Sequence, residues 1–165
     1  MMIDLESLLQ GGCERVTLDE SFDLSAEALD GVFPFQSPVC VKGDIVNRAG
    51  IVTMQATAMG KMQFVCDRCA AAAERELCVP MEHILVAALE SEADADRYIL
   101  VPDGKLDLRQ LTLEDIFLSL PSKLLCTDGC KGICPTCGKN LNEGPCGCKK
   151  EIDPRFAALL DLFEG

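Results

Sequence analysis

The chain has 165 residues, 48% of them hydrophobic, and sets 15 Lys and Arg against 27 Asp and Glu for a net charge of −12. That size and apolar content suit one compact unit burying roughly 70% of its unfolded surface, and exclude a disordered tail. No apolar run nears the roughly 18 residues that span a bilayer, and the net charge opposes a phosphate backbone, so composition points to a cytoplasmic chain with a basic protein partner rather than a membrane or naked nucleic acid.

Charge divides the sequence. Residues 1–122 carry 9 basic and 21 acidic side chains, residues 123–150 carry 5 and 2, and residues 151–165 carry 1 and 4. This predicts a β-rich acidic body, a basic cysteine-rich segment and a short C-terminal helix. Over residues 39–88 apolar positions alternate by twos, with Val52, Met54, Ala56 and Ala58 on one face and Thr53, Gln55 and Thr57 on the other. Gly60 and Lys61 read as a turn, after which Met62, Phe64 and Cys66 resume the alternation. A break at Cys66-Asp67-Arg68-Cys69 precedes another strand through Leu77, Val79 and Met81, in which Pro80 marks an edge or an end; residues 70–73 are open to a helical reading. The pattern is that of an antiparallel meander in an α+β fold.

Residues 89–96 form an acidic, small-residue connection that reads as a solvated loop, and a short apolar run follows at residues 98–101. Thr112 with Asp115 three residues on resembles a helix cap, and Leu113, Ile116, Phe117 and Leu120 have helical spacing up to Pro121, which predicts a helix over 112–120. A last helix is predicted over 153–163, opened by Asp153 and Pro154, with Phe156, Leu159, Leu160 and Phe163 on one stripe.

Eleven cysteines in a chain of a reducing compartment argue for metal ligation rather than a disulfide framework. The strongest signal is Cys134-Pro135-Thr136-Cys137-Gly138, two thiols able to grip one ion, followed within a short loop by Cys146-Gly147-Cys148. Cys134, Cys137, Cys146 and Cys148 satisfy a tetrahedral Zn2+ site. Cys66 and Cys69, with Cys126 and Cys130, make a second candidate site that would tie the C-terminal segment to the sheet, giving one or two Zn2+ per chain. The alternative for Cys66 and Cys69 is a redox-active pair, but their setting in a strand turn lacks the helix N-terminus that lowers a nucleophilic thiol's pKa. Cys13, Cys40 and Cys78 are left as small core residues.

Lys123, Lys131, Lys139, Lys149 and Lys150 surround the clusters, where they offset the −2 charge of a four-thiolate zinc rather than form a surface for RNA. His83 is the single histidine, so no catalytic dyad is built on it, and no phosphate loop or nucleophile elbow is present. A four-thiolate site is closed to water, which argues against metal catalysis. Neither an enzyme nor a small-molecule substrate is expected.

The run from Leu125 through Cys126, Cys130, Cys134-Pro135-Thr136-Cys137-Gly138-Lys139-Asn140-Leu141-Asn142 to Cys146-Gly147-Cys148 and Asp153-Pro154-Arg155 resembles the cysteine-rich branch of the YceD family. Cys66-Asp67-Arg68-Cys69 matches that family's other hallmark, and the order of β-rich body, acidic stretch and helix ending at Leu120-Pro121 is similar as well. The resemblance implies accumulation of large-subunit ribosomal RNA and a role in ribosome assembly, with a ribosomal protein or precursor particle as partner. A zinc and thiol redox-switch interaction module is the alternative function.

Overall fold

Alternate positions of one long strand set the architecture. In the computed structural model, which describes residues 1–29, 31–89 and 96–148, β4 (Ile51–Val65) buries Val52, Met54, Ala56, Ala58, Met62 and Phe64 and turns the residues that alternate with this inward row outward. It pairs antiparallel with β3 (Val39–Arg48) on one side and β5 (Ala72–Val86) on the other. β2 (Arg15–Phe22) continues the antiparallel sheet beyond β3, and the two-residue β6 (Ile99–Leu100) joins β5 in parallel. The sheet order is β2-β3-β4-β5-β6. A separate small ribbon pairs β1 (Met2–Asp4) with β7 (Lys105–Asp107).

One face of this sheet carries the core. Leu18 and Phe22 of β2, Val39, Val41 and Ile45 of β3, and Leu77, Val79, Met81 and Leu85 of β5 join the buried face of β4. They are covered by α1 (Glu6–Leu9), by Leu24 and Phe35 from the β2–β3 connection, and by α2 (Leu108–Ser119). The rings of Phe35 and Phe117 stack with centroids 6.4 Å apart, and the Asn47 side chain donates to the Leu8 carbonyl at 2.7 Å, which fastens α1 to the end of β3.

The architecture is the α+β body that the alternation predicts, with four local corrections. Gly60 and Lys61 are not a turn: β4 and β5 run as partners straight through them, with Gly60 opposite Leu77 and Lys61 opposite Glu76. The buried phase of two persists from Ala58 to Met62, and Gly60 fills the inward position between them, where Val39 packs so closely that an added Cβ would lie 3.0 Å from its Cγ2. The reversal falls instead at Ala49-Gly50, whose φ values of 53° and 86° are those of a two-residue hairpin turn matched to strand twist.

Residues 72 and 73 extend a strand rather than a helix. Helix α2 starts four residues before the expected cap, because Asp107 accepts from the Gln110 N–H at 3.2 Å; Thr112 lies inside, fully buried, donating to the Leu108 carbonyl at 2.7 Å. Of the leftover thiols, Cys13 is half-buried against the core as expected, whereas Cys78 is exposed and Cys40 half-buried, since Cys40, Met59 and Cys78 are register partners in one row of the outer face. Pro80 sits within β5 opposite Thr57, and beyond Pro80 β5 gains a second neighbour only at Leu85 and Val86, so the edge reading holds. Among the described residues no helix is long and apolar enough to cross a membrane. The helix expected over 153–163 and most of the acidic connection lie outside the described residues.

Candidate metal centre

Strands β4 and β5 end in a short loop whose backbone folds over its first cysteine. The Cys66 N–H donates to the Ala71 carbonyl at 2.9 Å, and the Ala70 N–H donates back to the Cys66 carbonyl at 2.9 Å, which turns Cys66 and Cys69 to the same side. After α2 the chain returns to this tip. Asp67 and Leu124 bind each other twice, through Asp67 N–H to the Leu124 carbonyl at 2.9 Å and Leu124 N–H to Asp67 Oδ2 at 2.6 Å. That clamp delivers Cys126 and Cys130. The four sulfurs of Cys66, Cys69, Cys126 and Cys130 all lie within 4.8 Å of one another, with Cys66 to Cys130 at 3.7 Å and Cys69 to Cys126 at 3.6 Å.

A second turn repeats the first. The Cys134 N–H donates to the Lys139 carbonyl at 2.8 Å and the Gly138 N–H to the Cys134 carbonyl at 2.8 Å, the same two bonds at the same offsets. Gly138 at φ 72° stands where Ala70, at φ 55°, stands in the first turn. Cys146 and Cys148 come in from the far side of the loop, and the sulfurs of Cys134, Cys137, Cys146 and Cys148 likewise lie within 4.8 Å of one another.

Both sets fit a tetrahedral ion. A zinc–sulfur bond of about 2.3 Å places neighbouring sulfurs about 3.8 Å apart, close to the two separations in the first set and far from the roughly 2.05 Å of a disulfide, and the sulfurs of the second set, all within 4.8 Å, have room for the same arrangement. Electrostatics within each set are uneven. Burial pushes the Cys66 thiol up, but backbone N–H groups of Cys126, Arg68 and Cys69 outweigh it and hold it down at about 6. The Ala71 N–H favours a Cys69 thiolate, yet burial and the Cys66, Cys126 and Cys130 sulfurs push it up to about 12. Cys134 is lowered to about 6 by the N–H groups of Cys137 and Thr136, and Cys148 is raised to about 12 by Cys137 and burial. Cys130 is lowered, chiefly by the Asn142 side chain. The first set thus holds two sulfurs favoured as thiolates, Cys66 and Cys130, beside two that favour the proton, Cys69 and Cys126, and the second set pairs a lowered Cys134 with a raised Cys148.

All eight cysteines singled out by spacing are brought together in these two groups of four, and each group could hold a metal ion. Three side chains that the spacing did not single out support them. Arg68 donates to the Cys130 carbonyl at 3.0 Å, Asp67 makes the clamp, and Asn142 donates to Cys130 Sγ at 3.3 Å. Their signal in the sequence is only proximity to cysteine. Lys139 donates to the Pro145 carbonyl at 3.2 Å, closing the second loop, while Lys149 and Lys150 lie outside the described residues. His83 is far from this chemistry: its Nε2 meets Asp115 Oδ2 at 2.6 Å, linking β5 to α2.

The chain is similar to an uncharacterized protein of Mycobacterium tuberculosis, at 29% identity over 101 residues covering 59% of this chain and 49% of the relative. An uncharacterized protein of Mycobacterium leprae is 29% identical over 59% of this chain and 46% of its own. A maize protein named as a chloroplastic large ribosomal RNA subunit accumulation protein YCED homolog is 24% identical over 160 residues, 78% of this chain and 55% of the relative. The chain therefore spans about half the length of the curated relatives it matches. No solved structure matches it. The family model described as large ribosomal RNA subunit accumulation protein YceD matches residues 54–163, a span that opens in β4 and takes in every cysteine of both tetrads, so the chain belongs to the YceD family.

Proposed function

We propose that the two tetrads each hold a structural Zn2+ and that the protein supports accumulation of the large ribosomal RNA subunit without catalysis, acting in the cytoplasm as an assembly factor. The observation that carries this reading is the pair of four-sulfur groups, each with its sulfurs all within 4.8 Å of one another. Four thiolates around one ion leave no open position for water, which suits a scaffold and not a hydrolytic centre. Family membership supplies the process, and charge supplies the kind of partner. A chain of −12 with two four-thiolate zinc sites falls to about −16, a field that draws basic extensions of ribosomal proteins, free or in a precursor particle, and repels naked RNA.

Metal analysis of the purified chain should return two zinc per molecule. Binding to ribosomal proteins and to purified large-subunit RNA, measured in one buffer, tests the partner. The expected result is salt-sensitive binding to a basic protein, weakened by Glu76→Lys and Glu82→Lys on the exposed face of β5. Tight, saturable binding to bare RNA alone, lost on neutralising Lys131 and Lys139, would overturn it.

One observation favours a second reading, a thiol redox switch. The sulfurs of Cys66 and Cys130, and of Cys69 and Cys126, are near enough that two-electron oxidation by peroxide would join either pair with a short approach, expelling the ion. Metal retained after mild peroxide would exclude that reading.

A further inference from the structure

Asn142 belongs by sequence to the loop of the second tetrad, yet its side chain is spent on the first. Its Nδ2 donates to Cys130 Sγ at 3.3 Å, and its Oδ1 accepts the Lys131 N–H at 2.8 Å, one residue beyond that cysteine. Asn140 holds it in place, the Asn140 Oδ1 accepting both the Asn142 N–H at 3.0 Å and the Asn142 Nδ2 at 2.9 Å. Behind these contacts the Leu141 N–H donates to the Gly132 carbonyl at 2.8 Å and the Cys134 N–H to the Lys139 carbonyl at 2.8 Å. The segment from Cys130 to Cys134 is thus laced to residues 139–142. The loop that carries Asn142 is bounded on one side by Cys134 and Cys137 and on the other by Cys146 and Cys148.

We propose that Asn142 is a positioning residue through which metal in the Cys134 tetrad strengthens metal binding in the Cys66 tetrad. With four ligands gathered on one ion, both ends of the loop are fixed, and the Asn142 side-chain Nδ2–H is held against Cys130 Sγ. There it orients the sulfur and offsets part of the repulsion among four thiolates. With the second tetrad empty, the ends are free and the contact is lost to loop motion. Groups in this outer position typically alter metal affinity by about 10–100-fold, and coupling between two binding sites is reciprocal. The inference rests on the metal reading of both tetrads.

The test uses the full chain loaded with 113Cd2+ alone. Cadmium NMR should show one tetrathiolate resonance for each tetrad, and Cys69→Ser identifies the one belonging to the Cys66 tetrad by removing it. Asn142→Ala should shift that resonance only and weaken the site about tenfold in chelator competition. Cys137→Ser, which disables the second tetrad, should weaken the Cys66 tetrad by a similar factor, and adding Asn142→Ala to it should cost little more. Asn142→Asp keeps an oxygen for the Lys131 N–H but lacks the donor and adds a negative charge beside the thiolates, so it should lose at least as much affinity as the Ala variant if the Nδ2–H to sulfur bond carries the coupling. Full affinity in Asn142→Asp, or losses from Asn142→Ala and Cys137→Ser that simply multiply, would overturn the proposal. Two resonances unmoved by Asn142→Ala would overturn the coupling while leaving the metal reading intact. No tetrathiolate resonance at all would overturn both.

Discussion

Ala70 and Gly138 occupy the same place in two turns of the same build, at φ 55° and 72°, and only one of them is a residue suited to it. A left-handed backbone brings Cβ against the following carbonyl oxygen, a cost of about 1 kcal/mol or somewhat more that glycine escapes. Gly138→Ala should therefore destabilise the second turn by about 1 kcal/mol, and Ala70→Gly should raise the stability of the first by a comparable or smaller amount, since the unfolded chain gains freedom. Thermal melts of the metal-loaded variants check both. The cysteines were legible from spacing because a metal's demand for ligands is local and chemical. Asn142 was not, because its partner Cys130 is 12 residues away and only the fold of two turns brings them together.

At the level of elements, the His83 and Asp115 pair is the cross-link between the outer end of β5 and α2. The contact is 2.6 Å long, with the side chains 20% and 14% exposed. Removing one partner leaves the other partly buried and unsatisfied, so His83→Ala and Asp115→Ala should each cost about 1–3 kcal/mol, and the double variant less than their sum. Chemical denaturation of the four proteins in the cycle measures this. The same pair shows why sequence misplaced the start of α2. Thr112 and Asp115 have the residue types of a cap, but burial claims the threonine and the histidine claims the aspartate, leaving Asp107 to cap the helix. Alternation located β3, β4 and β5 because one face of the sheet is buried along their length, whereas Gly60 looked like punctuation because the identity of a glycine says nothing about what packs against it. β2 alternates too, with Leu18 and Phe22 inward, but its interspersed charges hid it.

Taken whole, the molecule has an apolar core that includes no cysteine of either tetrad and a small second cluster, of Cys66, Cys69 and Cys130 with Ala71, Leu125 and Cys126, that is little more than the tetrad itself. Stripping metal with a chelator should release residues 123–148 while the sheet persists, seen as loss of amide protection confined to that segment with strand signals retained. Acid should do the same. Cations bind thiolates, so affinity falls as protons compete. Cys66 and Cys134, held at about 6, surrender no proton to an incoming ion above that pH and one each below it. The logarithm of affinity should therefore fall more steeply with decreasing pH once pH passes below about 6, in a competition titration across that range. The division into body and cysteine-rich segment was visible in charge and spacing, and so was the join through Cys66, Cys69, Cys126 and Cys130, but the clamp of Asp67 and Leu124 that supports it was not, since it spans 57 residues. That distance along the chain has a consequence in time. Cys130 follows Cys66 by 64 residues, so at about 5–20 residues per second of synthesis the hairpin tip waits roughly 3–13 s with half a ligand set. The local set from Cys134 to Cys148 has no such delay, so the tetrad begun first is completed only just before the second is made.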